Sequence, residues 1–305
     1  MHTIPPGPTA AQSVRAEACA LVHTSPPGQR HACANRTLMR LPDLPEGLTA
    51  RDGRPLGGGS ICDVWRVELT DGRAAVLKRT PYPAGVEADG LAALAAAGAP
   101  VPAVLGVGDD VLVLEEVGAG PPGEAEWRDL GRALAGMHAD TGEAYGWHRD
   151  NLIGSLPQAN DPDDDWPRFY AERRLRPWLG ATALPKELRR RLERALDGPL
   201  QDLLATGNPP SLVHGDLWNG NVVDGRWLID PAVHRADREF ELAFADLFGG
   251  FPPAFHEGYA ETWPLPEGWQ RRRPALQLYH LLVHVELFGA GFAGAVGSRL
   301  DALGW

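Results

Sequence analysis

Cysteine is scarce in this chain: Cys19, Cys33 and Cys62 are the only three in 305 residues. Their spacing fits neither a thiolate metal site nor an even-numbered disulfide framework, which points to a reducing, cytoplasmic setting. Long apolar runs are missing as well. No segment approaches the roughly 20 residues that cross a bilayer. The first twenty residues contain two consecutive prolines and no hydrophobic core of a signal peptide. Basic excess is the third absence, since 29 Lys and Arg stand against 40 Asp and Glu, a formal charge of −11. Nucleic acid and anionic membranes are recognised through basic patches, so neither is expected as a partner. Short Arg-rich stretches at 173–176, 189–191 and 271–273 are interleaved with apolar positions at helical spacing, and are expected to form solvated helix faces. There are no internal repeats.

What is present concentrates around residue 216. Residues 214–221 read His-Gly-Asp-Leu-Trp-Asn-Gly-Asn, and the apolar run Trp227-Leu228-Ile229 ends in Asp230-Pro231. An Asp five residues before an Asn, then a second Asp closing a short hydrophobic strand, is the spacing of catalytic and metal-binding groups in kinase-like phosphotransferases. Asp216 would accept or orient the proton of an attacking hydroxyl. Asn221 and Asp230 would hold Mg2+ against nucleotide phosphates, because hard oxygen ligands suit that ion. His214 and Gly215 would position the loop. Taken alone, the octapeptide also reads as an Asn-Gly turn between strands; the second Asp at this distance favours the catalytic reading.

The other parts of such a site occur upstream in order. Gly57-Gly58-Gly59-Ser60 precedes the alternating run Trp65-Arg66-Val67-Glu68-Leu69, and Asp71-Gly72 separates it from Ala75-Val76-Leu77-Lys78, so a β-hairpin is expected. A glycine-rich turn lets backbone amides approach phosphates. Lys78, at the end of the returning strand, would contact the α- and β-phosphates of ATP. Glu87, Leu91 and Leu94 recur at helical spacing and place Glu87 near the start of the next helix, either paired with Lys78 or simply favoured there by the helix dipole. After Gly108-Asp109-Asp110, the strand Val111–Leu114 leads to Glu115, Glu116 and Val117, and backbone groups from Leu114 onward would meet the adenine at a hinge.

On these strings, together with YGWHRDNLIGSLPQAN, RFYAERRLRPWL, LIDPAVHRADREFELAFADLFGGF and LYHLLVHVELFG, the chain resembles the fructosamine (ketosamine) kinases over roughly residues 40–300. The resemblance implies an α+β, bilobal protein-kinase-like fold, with a small β-rich N-lobe and a larger, mainly helical C-lobe. It also implies ATP- and Mg2+-dependent phosphorylation of the 3-hydroxyl of a sugar joined to an amine by glycation. The partner would be glycated lysine, free or in protein. Carried over residue by residue, it makes Asp216 the base, Asn221 and Asp230 the metal ligands, and Lys78 and Glu87 the nucleotide ion pair. Gly57 to Ser60 become the phosphate turn and Leu114, Glu115 and Glu116 the hinge, while His214, Trp218 and Asp237 are candidate substrate contacts. Related kinases of the aminoglycoside or choline type share the Asp/Asn/Asp core.

Two departures from the family pattern concern the substrate side. Ala232 to Asp237 replaces an expected tyrosine- and glycine-containing stretch, and Ser60 and Cys62, rather than a cysteine directly, follow the glycines. Trp218 would either face a sugar ring, whose C–H face suits an indole, or anchor the loop in the core. Tyr145 to Asn151 would face the cleft, or Asp150 and Asn151 would cap a turn. Residues 1–38, rich in Pro, Ser, Thr, His and Arg, lie outside the resemblance and are expected to be a disordered or loosely docked extension, with Met39 a candidate start. The N-lobe is then expected over 39–117 and the C-lobe over 118–305, with helices around Leu130, Leu192 and Leu281. A monomer and a homodimer are both compatible with this reading.

Overall fold

The computed structural model describes residues 41–56, 62–118 and 120–305. The expectations for the extension at 1–38, for Met39 and for the turn Gly57, Gly58, Gly59 and Ser60 lie outside the described residues.

Strands β1 (Ala50–Pro55), β2 (Asp63–Leu69) and β3 (Ala74–Arg79) are followed by helix α1 (Gly85–Ala96), then β4 (Val104–Val107) and β5 (Val111–Glu115). The five strands make one antiparallel sheet in the order β1-β2-β3-β5-β4. Alternation dictates which face is buried: Trp65, Val67, Leu69, Ala75, Leu77, Val111 and Val113 form one core under Leu41, Leu44 and Leu48. The β2–β3 hairpin turns at Gly72, where φ is +90° and a side chain would be strained. Strand β1 was not legible. Its sequence ARDGRP has no apolar alternation and its side chains are mostly exposed, but pairing with β2 supplies the backbone bonds, as suits an edge strand.

The rest of the chain is mainly helical: α2 (Glu124–His138), hairpin β6–β7 (Asn151–Ile153, Leu156–Gln158), α3 (Trp166–Phe169), α4 (Lys186–Leu196), α5 (Pro199–Leu204), β8 (Ser211–Val213), β9 (Val222–Val223), β10 (Trp227–Leu228), β11 (His234–Ala236), α6 (Arg238–Ala245), α7 (Pro253–Thr262), α8 (Trp269–Leu276), α9 (Leu278–Phe288) and α10 (Ala293–Leu303). The small sheet and large helical part form the expected two lobes of an α+β fold. Helices α2 and α7 cross at two glycines, Gly131 and Gly258, where even a methyl group would strike the opposing backbone. Arg128 and Arg132 flank that crossing with ion pairs to Glu257 and Glu261.

Two cores organise the larger lobe. One lies within it, around Tyr170, Leu192, Phe240, Phe244, Tyr279 and Val296. The other joins Leu91 and Leu94 of α1 and Leu112 and Leu114 of β5 to Leu130, Leu228, Val233 and Leu242, so α1 packs on the larger lobe as well as on its own sheet. Past α3 the chain makes a π turn, Tyr170–Leu175, which turns Arg174 inward. This corrects the expectation of a solvated face there. Arg174 is fully buried, donates to the carbonyl of Ala159 and to Asn160 Oδ1 at 2.6 Å each, and lies over the Phe169 ring. Burial lowers its guanidinium to about 10. No helix among the described residues is long and apolar enough to cross a membrane.

Candidate active site

The octapeptide leaves β8 as a loop, closes a single 3-10 turn at Asn219–Asn221 and enters β9. Asn221 is buried and donates through Nδ2 to both the backbone carbonyl of Asp216, at 2.9 Å, and its carboxylate Oδ2, at 3.0 Å. The amide nitrogen is therefore committed to Asp216, and Oδ1 is the atom left for a cation. Asp216 keeps partial solvent access. Burial of its carboxyl among protein atoms nevertheless pushes it up to about 8, with the Asn221 bond pulling the other way and the charge of Asp230 adding to the rise.

Strands β9 and β10 pair antiparallel across a turn in which Asp224 and Gly225 both have left-handed backbones, and they deliver the chain to Asp230. Asp230 itself sits at φ +57°, an unfavourable conformation for a residue with a Cβ. Its half-exposed carboxylate reaches Lys78 Nζ at 2.5 Å. The same ammonium lies 2.6 and 2.8 Å from the two oxygens of Glu87, which projects from the first turn of α1. Lys78 and Glu87 are both buried. Burial would lower the lysine, but the carboxylates of Asp230 and Glu87 outweigh it and raise its pKa, so the cation stays charged. The structure thus joins Lys78, Glu87 and Asp230 in one ion-paired cluster and Asp216 with Asn221 in a hydrogen-bonded pair, with the two linked by the backbone bond from Ile229 N to the Asn221 carbonyl and near enough for the charge of Asp230 to act on Asp216.

A family model for fructosamine kinases matches residues 43–303 of this chain. The chain belongs to the fructosamine kinase family. A Thermus thermophilus protein provisionally named a ketoamine kinase is 38% identical over 255 residues, covering 81% of this chain and 92% of the relative. An Enterococcus faecium protein of the same provisional name is 35% identical over 267 residues, covering 82% and 92%. A crystal structure of a provisionally named fructosamine-3-kinase from Thermobifida fusca superposes with a TM-score of 0.79 at 39% identity, covering 84% of this chain and 94% of that one. Membership makes the protein an ATP-dependent kinase with a protein-kinase-like fold.

Not every candidate converges on the kinase cleft. Asp237 is fully buried at the N-terminus of α6, where it caps Glu239 N and accepts from Thr206 Oγ1 at 2.7 Å and Asn208 Nδ2 at 3.0 Å. Those bonds occupy both its oxygens, so the expected substrate contact is replaced by a helix cap. His214 is also fully buried: Nε2 bonds the Ile229 carbonyl at 2.9 Å and Nδ1 meets the Asp216 amide at 3.3 Å. Burial lowers its pKa, and it braces the segments that carry Asp216 and Asp230 rather than facing a substrate. At the expected hinge, Leu114 is buried, Glu115 accepts weakly from Ala103 N, and Glu116 pairs with Arg66 at 2.6 Å. Asp150 and Asn151 take the turn and scaffold roles. Asp150 accepts from Asn160 N, and Asn151 Nδ2 donates to the Val233 carbonyl at 2.7 Å. Trp218 packs half-buried against the larger-lobe core with its indole folded over Gly220.

Three further residues hold the loop that carries Asp216. Glu241 of α6 accepts from the backbone amides of His214, at 3.0 Å, and Gly215, at 2.7 Å. His138, at the end of α2, bonds Glu241 through Nε2 at 2.9 Å and the Tyr259 hydroxyl through Nδ1 at 2.8 Å. His280 of α9 donates to the Gly215 carbonyl at 3.0 Å and stacks on Phe244 at 3.5 Å. The available signal is the string DREFELAF, which sets an N-cap Asp and three charges at the head of an otherwise apolar helix. Charges in such a helix are costly unless each has a buried partner, so they mark a polar network.

Proposed function

We propose that this kinase transfers the γ-phosphoryl group of ATP to the 3-hydroxyl of ketosamines, the fructosamine or ribulosamine adducts on lysine or protein, and so serves deglycation. The observation that carries the reading is the pairing of Asp216 with Asn221, near the Lys78–Glu87–Asp230 cluster whose Asp230 charge acts on Asp216. The donor set suits Mg2+: one half-exposed carboxylate and one amide oxygen are hard ligands, and that ion takes its remaining ligands from water and phosphates. Asn221 Oδ1 and Asp230 would hold it, and when bound it supplies charge neutralisation at the phosphates.

The remaining work falls to the chain. Lys78, fixed from two sides by carboxylates, presents its cation to the α- and β-phosphates. Asp216, in its ionised form, hydrogen-bonds the acceptor hydroxyl and receives its proton as the sugar oxygen bonds the γ-phosphorus and the bond from that phosphorus to the β-phosphate oxygen breaks, releasing ADP; Trp218 offers an apolar face to the sugar ring. Positioning and electrostatics dominate, as phosphoryl transfer requires. In this reading residues 39–117 are the nucleotide-binding lobe and 118–305 the catalytic and substrate-binding lobe. Purified protein with Mg-ATP and a panel of fructosyl-lysine, ribulosyl-lysine, an aminoglycoside and choline, read by mass, tests it. Phosphorylation of a ketosamine is expected; phosphorylation of only choline or the aminoglycoside would contradict it.

A further inference from the structure

Helix α1 carries Glu87, yet much of what holds it belongs to the other lobe. Asp89, two residues on, accepts from Trp147 Nε1 at 3.0 Å through Oδ2, and its Oδ1 lies 3.4 Å from His148 Nε2. The Trp147–His148 segment is itself bolted to the larger lobe: Trp147 N donates to the Asn160 carbonyl at 2.9 Å, and Gly146 exchanges backbone bonds with Arg235 at 2.9 and 2.7 Å. One residue further, Gly90 lets α1 lie against Pro231 and Val233, directly after Asp230; a methyl there would stand 3.1 Å from the Val233 side chain. The loop following α1 is tied too, through the Pro100 carbonyl, which accepts from Leu228 N of β10 at 2.8 Å. The helix is thus fastened to the strand and turn that deliver Asp230, and a shift in α1 moves Glu87 relative to both Lys78 and Asp230.

We propose that Asp89, gripped by Trp147 and His148, is a positioning residue that holds Glu87 in register with Lys78 and so sets productive ATP alignment. Asp89 does this without touching Lys78, nucleotide or acceptor. The polar grip complements the apolar contact at Gly90: packing sets how closely the helix approaches, and the directed bond from Trp147, with the His148 ring beside the other carboxylate oxygen, sets its rotation and its position along the axis. The inference rests on the nucleotide role of Lys78 proposed above.

The test compares D89A, D89N, W147F, K78M and the D89A/K78M double variant in the full chain. Calorimetric Mg-ATP binding and steady-state kinetics are measured for each, with thermal melting to confirm folding. D89A and W147F should lose roughly 10- to 100-fold in kcat/KM for ATP, the scale of misplaced reacting groups. D89N still accepts from Trp147 and should stay within about threefold of wild type, the worth of one weakened hydrogen bond. In the K78M background D89A should weaken Mg-ATP binding by no more than about twofold, because residues acting through one pair are not additive. An unchanged kcat/KM in folded D89A and W147F, or a full loss persisting in the K78M background, overturns the proposal. Unaltered ATP binding and kinetics in K78M would overturn the role of Lys78 itself, and the basis for Asp89 with it.

Discussion

Glu241 and Gly215 are joined side chain to backbone, the carboxylate accepting the amide of the residue just before Asp216 at 2.7 Å. The other oxygen takes the His214 amide, and His138 closes the set. The loop that presents Asp216 is therefore held by a buried charge in addition to the backbone bond from Ala232 N to the His214 carbonyl that extends the β8–β11 pairing. Burial alone would raise the Glu241 carboxyl, but the bonds and charge of His138, with those of His214, hold it below the ordinary glutamate range, so it remains an anion.

Removing that anion should be costly. In E241A two backbone amides and a histidine nitrogen lose their acceptor within the core, and each buried unsatisfied group costs about 1–3 kcal/mol. The expected loss, read by denaturant unfolding, is about 3 kcal/mol or more. E241Q retains one acceptor oxygen and should fall between E241A and wild type. A loss below about 1 kcal/mol in E241A, within the ordinary range for point variants, would show that the loop is held by other contacts.

The buried histidines give stability a pH dependence of known sign. Burial lowers His280 from 6.5 to about 3 and His284 to about 4. A depressed folded pKa means the unfolded chain binds more protons below 6.5, so each contribution is lost as pH falls from 6.5 toward the folded value. Asp216, raised to about 8, works in the opposite direction, so a single variant isolates the histidine contribution better than the whole protein. The stability deficit of H280Q should therefore narrow on going from pH 7 to pH 5, by at most about 1.4 kcal/mol per pH unit. Denaturant unfolding at both values checks it; a deficit that stays constant or widens contradicts neutral burial of His280.

Gly220 bears on the role of Trp218. A methyl at this position would overlap the indole, so G220A must displace the ring without removing it. If the exposed part of the indole faces the sugar, G220A should raise KM for the ketosamine about two- to tenfold, the scale of one aromatic contact, and leave KM for ATP unchanged. Equal effects on both substrates would instead make Trp218 an anchor of the loop.

Much of the site could be read from residue order alone. The β2–β3 hairpin follows from its alternation and Asp71-Gly72, and Lys78 and Glu87 fall on the strand end and the first helical turn where their spacing puts them. Helices α2, α4 and α9 follow from their apolar periodicity. What stayed hidden depends on pairing or burial that no local pattern encodes. Strand β1 exists through its partner, and Arg174 is turned inward by a π turn within a stretch that reads as surface. Asp237 and His214 look like substrate contacts because they stand in strings that resemble the family's; in the fold their polar atoms are consumed by bracing. Conversely, Glu241, His138 and His280 lie 25, 78 and 64 residues from Asp216, and only the fold brings them to its loop.

The most direct test of the account is phosphorylation of fructosyl-lysine by D216N beside wild type, with Mg-ATP affinity measured on both. Replacing the carboxylate by its isosteric amide removes the proton acceptor and little else. The account predicts phosphorylation by wild type, a fall of about 10²–10⁴-fold in turnover for D216N, the range for a lost general base, and nucleotide binding nearly unchanged. Turnover by D216N within about tenfold of wild type, short of that range, would contradict the assignment of Asp216 as the base.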